Sequence, residues 1–259
     1  MDFGQFKTNV NSFFGLDLHS YKETQLKRRL DNLMARHNID NYSDFFFFLK
    51  TDQVVYQDFC DTLTINVSEF FRDKVIFKNF EQNILPQLLK NKHILKIWSA
   101  ACSNGAEPYS VAIILDELTP GHEHKIEATD LDRKILQDAA VGRYPADAVR
   151  NVQAQRLAKY FRREGDKYVL LDSIKNKVSF RVHDLLKDNY GQGYDLIICR
   201  NVTIYFTREA QNEVNIKLAR ALNVGGVLFI GSSEMIFNYK ALGYEKLGSC
   251  FYRKVTVSI

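Results

Sequence analysis

The stretch Ile94-Leu95-Lys96-Ile97-Trp98-Ser99-Ala100-Ala101-Cys102-Ser103-Asn104-Gly105-Ala106-Glu107-Pro108-Tyr109-Ser110 passes from a short apolar strand through small residues to an acid and then a helix. In a doubly wound α/β sheet the ligand sits beyond the carboxyl ends of the strands, where the backbone must run close to it. Ser99, Ala100, Ala101, Ser103 and Gly105 leave that approach open, and a glycine also permits a positive φ. The loop lacks the G-x-G-x-x-G fingerprint whose helix faces a pyrophosphate. A cofactor without a diphosphate is therefore expected, S-adenosylmethionine (SAM) first. An ordinary strand-to-helix turn reads much the same, so the rest of the chain must decide.

Downstream of this stretch the grammar is strand, helix, strand. Lys125 to Ala128 precedes a helix over Asp132 to Ala140; Leu196 to Cys199 precedes Arg208 to Leu222; Val227 to Ile230 follows a Gly-Gly pair, and Cys250 to Arg253 reads as a last strand. Such alternation predicts a mainly parallel sheet covered by helices. Tyr168–Leu171 and Val178–Val182, flanking Asp172 to Lys177, read as a small antiparallel ribbon inserted at 160–182. Upstream, no strand alternation appears. Leu26, Leu30 and Leu33 repeat at helical spacing within Tyr21 to His37, Asn41 to Asp44 offer caps before the run Phe45 to Phe48, and Val54 to Leu63 reads as another helix. The expected organisation is a small all-helical domain over 1–73, a linker helix over 74–90 and an α/β domain over 91–259. The four-phenylalanine run is expected to be core.

At 259 residues and 46% hydrophobic content the chain can bury a full core. Its apolar runs fall well short of the ~20 residues of a spanning helix. Met1-Asp2-Phe3-Gly4-Gln5 shows no secretory pattern, so a cytoplasmic location is expected. The four cysteines lack C-x-x-C spacing, which argues against zinc and against a disulfide framework. No metal is expected. A net charge of +4 does not call for nucleic acid.

Five places carry candidate chemistry. Asp130 stands just past a strand, where a carboxylate can accept from ribose hydroxyls; capping of the next helix is its rival role. Glu107 opens a helix beside free amides. Asp184 and Leu185 could meet an adenine with one polar and one apolar contact, though a plain turn is equally compatible. Arg200 and Asn201 end a buried strand, followed by aromatic Tyr205. Thr64 to Arg72 is polar and could be a helix start capped by Ser68 or Asn66.

Taken together, Asn66-Val67-Ser68-Glu69-Phe70-Phe71-Arg72, Trp98 to Ser103 with Glu107-Pro108-Tyr109-Ser110, Ala128-Thr129-Asp130, and Cys199-Arg200-Asn201-Val202 with Ile204-Tyr205-Phe206 resemble the CheR-type chemotaxis receptor methyltransferases over nearly the whole chain. The resemblance implies a SAM-dependent protein-glutamate O-methyltransferase that esterifies glutamates on cytoplasmic receptor helices for sensory adaptation. It implies cofactor contacts at Asn66, Ser68, Arg72, Glu107, Asp130, Asp184, Leu185, Arg200 and Asn201. Arg72 would hold the methionine carboxylate, and Tyr205 would line the methyl-transfer site. The family usually has Gly-Glu-Glu-Pro where this chain has Gly105-Ala106-Glu107-Pro108, and Asn-Leu-Leu where it has Asp184-Leu185-Leu186; the second departure leaves the adenine contact open.

Lys22, Arg29 and Arg36 lie seven apart on one helix, a stripe suited to acidic receptor helices or to a solvated edge. A monomer acting on receptors, with no nucleic acid and no membrane insertion, is the expected state. A methyltransferase of another substrate and a non-catalytic SAM-binding receptor regulator are the rival readings. Some enzymes of this type hold a receptor's C-terminal peptide on the inserted ribbon. The turn Asp172 to Lys177 contains no glycine, and the ribbon from Tyr160 to Val182 is short, with Gly165 its only glycine, so direct recognition without that tether is expected here.

Overall fold

The structure is a computed structural model and describes residues 1–64 and 68–256. It divides into two compact units, Met1–Ile65 with Val202–Val214, and Asn66–Asn201 with Asn215–Ile259. The first unit is helical: α1 (Phe3–Phe14), α2 (Glu23–Arg36), α3 (Tyr42–Thr51) and α4 (Gln53–Thr64). Asp2 opens α1 with a reciprocal capping box, and the Asn41 side chain caps α3. Leu26, Leu30 and Leu33 are fully buried, as their spacing on α2 predicts, and join Phe6, Val10, Phe45 and Phe59 in one core. The 202–214 segment is tied to this unit by main-chain bonds from Lys22 N–H to the Tyr205 carbonyl (2.9 Å) and from Thr207 N–H to the Ser20 carbonyl (2.8 Å).

Two expectations are corrected here. The phenylalanine run is only partly core: Phe45 is buried, whereas Phe47 and Phe48 face solvent at 55% and 38% exposure, because successive residues point about 100° apart on a helix. The basic stripe is broken at its centre. Lys22 and Arg36 are exposed, but Arg29 is half-buried, donating to the Thr62 carbonyl (2.9 Å) with its guanidinium 5.2 Å from the Tyr205 ring centre.

The described residues of the second unit form ten strands: β1 (Lys96–Ala100), β2 (Lys125–Asp130), β3 (Arg143–Pro145), β4 (Phe161–Glu164), β5 (Lys167–Leu170), β6 (Val178–Val182), β7 (Tyr194–Cys199), β8 (Leu222–Ile230), β9 (Tyr244–Lys246) and β10 (Phe251–Lys254). Seven of them form one sheet in the order β6-β2-β1-β7-β8-β10-β9. Its first five strands are parallel, while β10 is antiparallel to both β8 and β9. The strand order reverses between β1 and β7, the switch point beside which ligands bind in open α/β sheets.

The insertion is a three-stranded antiparallel sheet, β3-β5-β4. Its hairpin pairs β5 with β4, not with Val178–Val182, which instead joins the main sheet parallel to β2. The hairpin turn therefore contains Gly165, at φ 63°, and Asp172–Lys175 is a short helix. With Gly165 in the true turn, the part of that expectation that rested on a glycine-free turn falls away.

No helix starts at Ser68. The helical run begins at Lys74 and continues to Asn91 with a π-type segment at Phe80–Ile84. This run, read from sequence as a linker, lies in the core of the second unit, where Phe80 stacks on Phe229 (5.3 Å between ring centres).

The phenylalanine run gives a direct test. Phe45→Ala should cost about 3–5 kcal/mol of stability, the range for truncating a buried aromatic. Phe47→Ala should stay within about 0.5 kcal/mol. Urea unfolding of the two variants measures the difference.

Candidate functional site

Four loops at the carboxyl ends of β1, β2, β6 and β7 bring together the chemistry read from the sequence. After β1, Ala101 (φ 59°), Ser103 (φ 51°) and Gly105 (φ 80°) all take left-handed backbone, folding the chain tightly before the helix Ala106–Leu118. Such a conformation costs a non-glycine residue roughly 1–2 kcal/mol, so something must hold it. Cys102 N–H donates to the Thr129 carbonyl (2.9 Å), and Ser103 N–H donates to Asp130 Oδ2 (2.8 Å). Gly105 is required twice over, since a Cβ there would also stand 3.0–3.2 Å from Ala139, Tyr109 and Phe180.

Asp130 ends β2, 5% exposed, with Oδ2 on Ser103 N–H and Oδ1 accepting from Asp132 N–H (3.1 Å). Burial pushes its carboxyl up from the usual range, and these N–H groups oppose the push. Helix capping falls to Asp132, whose side chain accepts from Lys134 and Ile135 N–H. The rival role read from sequence thus belongs to the neighbour. Each Asp130 oxygen has a second lone pair, so the carboxylate can hold the loop and still accept from a ribose hydroxyl.

At the head of the next helix, Glu107 accepts from Ser99 Oγ (2.9 Å) and from Arg200 Nη1 (3.2 Å). Arg200 also donates to Asp73 Oδ2 (2.6 Å), and its guanidinium lies over the neighbouring rings of Phe229 (4.6 Å) and Phe77 (5.5 Å). Burial raises the Glu107 carboxyl, and Arg200 and the Ser99 hydroxyl pull it back down. The Arg200 side chain is only 1% exposed. It therefore ties Glu107 to the 72–73 turn.

After β6, His183 N–H donates to the Asp130 carbonyl (2.9 Å). The buried His183 ring stands edge-on to Trp98 and Tyr190, and burial lowers its affinity for a proton. Asp184 Oδ1 accepts from Leu186 N–H (2.8 Å), and Leu185 is buried with its carbonyl accepting from Tyr190 Oη (2.7 Å). Asp184 thus turns the chain with one oxygen while the other can meet an exocyclic amine.

The second unit therefore contains Ser68, Arg72, Glu107, Asp130, Asp184, Leu185, Arg200 and Asn201. Within it the Arg72 carbonyl faces Arg200 Nη2 (3.5 Å), and the Ser68 carbonyl accepts from Asn104 Nδ2 (3.0 Å). Asn66 lies outside the described residues. Tyr205, Lys22, Arg29 and Arg36 belong to the first unit. Sequence reading did not single out Asp73, in the turn before the Lys74 helix, or Glu234, in the turn after β8; neither carries a periodic or motif signal. Among the described residues no cluster of His, Cys, Asp or Glu could hold a metal ion, and no helix is long and apolar enough to cross a membrane.

This sheet order, with a small-residue loop after β1 and an acid ending β2, defines a SAM-dependent methyltransferase, and the donor set fits the cofactor. The family model described as "CheR methyltransferase, SAM binding domain" matches residues 66–248, and "CheR methyltransferase, all-alpha domain" matches residues 1–64. A "Chemotaxis protein methyltransferase" of Listeria monocytogenes is 41% identical over 254 residues, covering 98% of this chain and 97% of that one. "Chemotaxis protein methyltransferase 1" of Pseudomonas aeruginosa is 32% identical, covering 92% and 91%. A TehB-like SAM-dependent methyltransferase from Corynebacterium glutamicum is a distant structural likeness, at TM-score 0.38 and 17% identity over 64% of this chain and 83% of that one. The chain belongs to the CheR methyltransferase family.

Asp130→Ala should weaken S-adenosylhomocysteine binding by about 1.5–3 kcal/mol, the worth of a hydrogen bond to a charged group. Titration calorimetry on the folded variant checks this, and an unchanged affinity would restrict Asp130 to holding the loop.

Proposed function

We propose that the protein transfers the methyl group of SAM to glutamate side chains of chemotaxis receptors, forming glutamyl methyl esters. The observation that carries this is the 41% identity, along almost the full length of both chains, to a protein named as a chemotaxis methyltransferase. When bound, SAM supplies an electrophilic methyl on a sulfonium. A substrate carboxylate, ionised near neutral pH with an ordinary pKa of about 4.3, needs no general base to attack it. With SAM bound, the available chemistry would be transfer of that methyl to a carboxylate oxygen, the S–CH3 electron pair staying with sulfur. No proton moves.

The protein's work is then alignment and exclusion of water. Asp130 is assigned to the ribose, and Asp184 and Leu185 to the adenine. Arg72 is assigned to the methionine carboxylate, whose planar geometry suits a guanidinium fork. Asn66, Ser68, Glu107, Arg200 and Asn201 complete the cofactor contacts. Asn201 and Tyr205, four residues apart in the chain, are assigned to the neighbourhood of the transferred methyl. The first unit receives the acidic receptor helix on exposed Lys22 and Arg36, whereas Arg29 supports Tyr205 through its ring contact.

Incubation with labelled SAM and receptor-rich membranes should label receptors with methyl groups that mild alkali releases as methanol. Alkali-stable label would indicate a different acceptor, and cofactor binding with no label a non-catalytic regulator. Combining Lys22→Glu with Arg36→Glu should slow receptor methylation about tenfold at low salt, with the wild-type rate also falling as salt rises. S-adenosylhomocysteine affinity, measured alongside, should change less than about twofold. A normal methylation rate in that double variant would leave the two cations as a solvated edge.

A further inference from the structure

Asn201 follows β7 with a left-handed backbone at φ 61°. Asparagine tolerates that region better than most residues, yet still at a cost. A buried carboxylate holds the main-chain N–H there. Glu234 Oε2 accepts from Asn201 N–H (2.9 Å) and from Gly231 N–H (2.7 Å), and Glu234 is itself 8% exposed. Glu234 N–H donates in turn to the Gly231 carbonyl (3.1 Å), closing a turn directly after β8. The approach is so close that a Cβ on residue 231 would stand 2.8 Å from Glu234 Oε2, 3.0 Å from Asn201 N and 3.1 Å from Asn201 Nδ2. A buried carboxylate from one strand end thus fixes the backbone angle, and so the side-chain direction, of a residue at the next.

We infer that Glu234 is a positioning residue for cofactor binding, acting through Asn201 by holding its main chain in the left-handed conformation. Without the acceptor, Asn201 relaxes toward negative φ and its amide swings away from the cofactor. The inference rests on the assignment of Asn201 as a cofactor contact, and is independent of which substrate receives the methyl.

The test is a double-mutant cycle read by calorimetric binding of S-adenosylhomocysteine, with a thermal melt of each protein. Glu234→Ala should weaken binding about tenfold, as expected for a lost hydrogen bond to a charged acceptor. Glu234→Gln, which keeps an acceptor oxygen, should recover to within about threefold of the wild type. Glu234→Ala combined with Asn201→Ala should bind no more weakly than Asn201→Ala alone, because both changes remove the same contact. Losses that add would overturn the inference. So would normal binding by folded Glu234→Ala when Asn201→Ala is impaired. Normal binding by Asn201→Ala would overturn the assignment of Asn201, and the inference with it. If Glu234→Ala does not fold, Glu234→Asp, whose carboxylate is drawn back by one methylene, replaces it in the same cycle with the same criteria.

Discussion

The buried guanidinium of Arg200 is the constraint on which the second unit's site depends. It joins three segments distant in sequence: the end of β7, the head of the helix after β1 through Glu107, and the turn before the Lys74 helix through Asp73. Two charges taken out of water are tolerable only when they meet each other in good geometry and find further hydrogen bonds. Glu107 meets that condition with Arg200 and Ser99, and Arg200 with two carboxylates and two aromatic faces. Removing either partner of such a pair typically costs about 3–5 kcal/mol, because the remaining charge is left buried and alone. The arrangement therefore specifies one geometry more than it adds net stability.

Around this centre the backbone is strained in a consistent way. Of the six described non-glycine residues with positive φ, five lie in loops that build the site: Phe71, Asp73, Ala101, Ser103 and Asn201. Four are held by side chains. Ser110 Oγ accepts from Phe71 N–H (3.0 Å), Asp130 from Ser103, and Glu234 from Asn201, while the Asp73 carboxylate is taken by Arg200. Each acceptor belongs to a rigid element or to a tight turn at its end. Strain of this kind persists only where the surroundings over-determine it, and it commonly marks a site that must be pre-formed.

The small inserted sheet contributes to the same pre-organisation. Phe70 is buried edge-on to Tyr144 of β3 (4.8 Å) and Phe161 of β4 (5.1 Å), and its N–H donates to the Ala148 carbonyl (2.9 Å). Tyr144 Oη also donates to the Asn104 carbonyl in the loop after β1 (2.9 Å). The inserted sheet thus packs against the 68–73 turn and the loop after β1, and its aromatic residues hold that turn in place.

Local rules account for what is legible in the order of the amino acids. Leucine spacing placed α2, strand and helix alternation placed the parallel sheet, and small residues followed by Glu107 marked the tight turn after β1; Asp130 and Asp184 could be read as carboxylates at or just beyond strand ends. Other features depended on partners far along the chain. Val178–Val182 and Phe161–Glu164 are equally plausible strands, and only tertiary pairing sends the first to the main sheet and the second to the hairpin. Arg200 and Glu107 are 93 residues apart, so the burial of Arg200 behind Glu107 has no sequence signature. Arg29 shares its spacing with Lys22 and Arg36, yet packing against Tyr205 removes it from the exposed stripe. Periodicity reports which face of an element is apolar; which charged group comes to lie against which is decided by burial and geometry, and these exist only once the chain has folded.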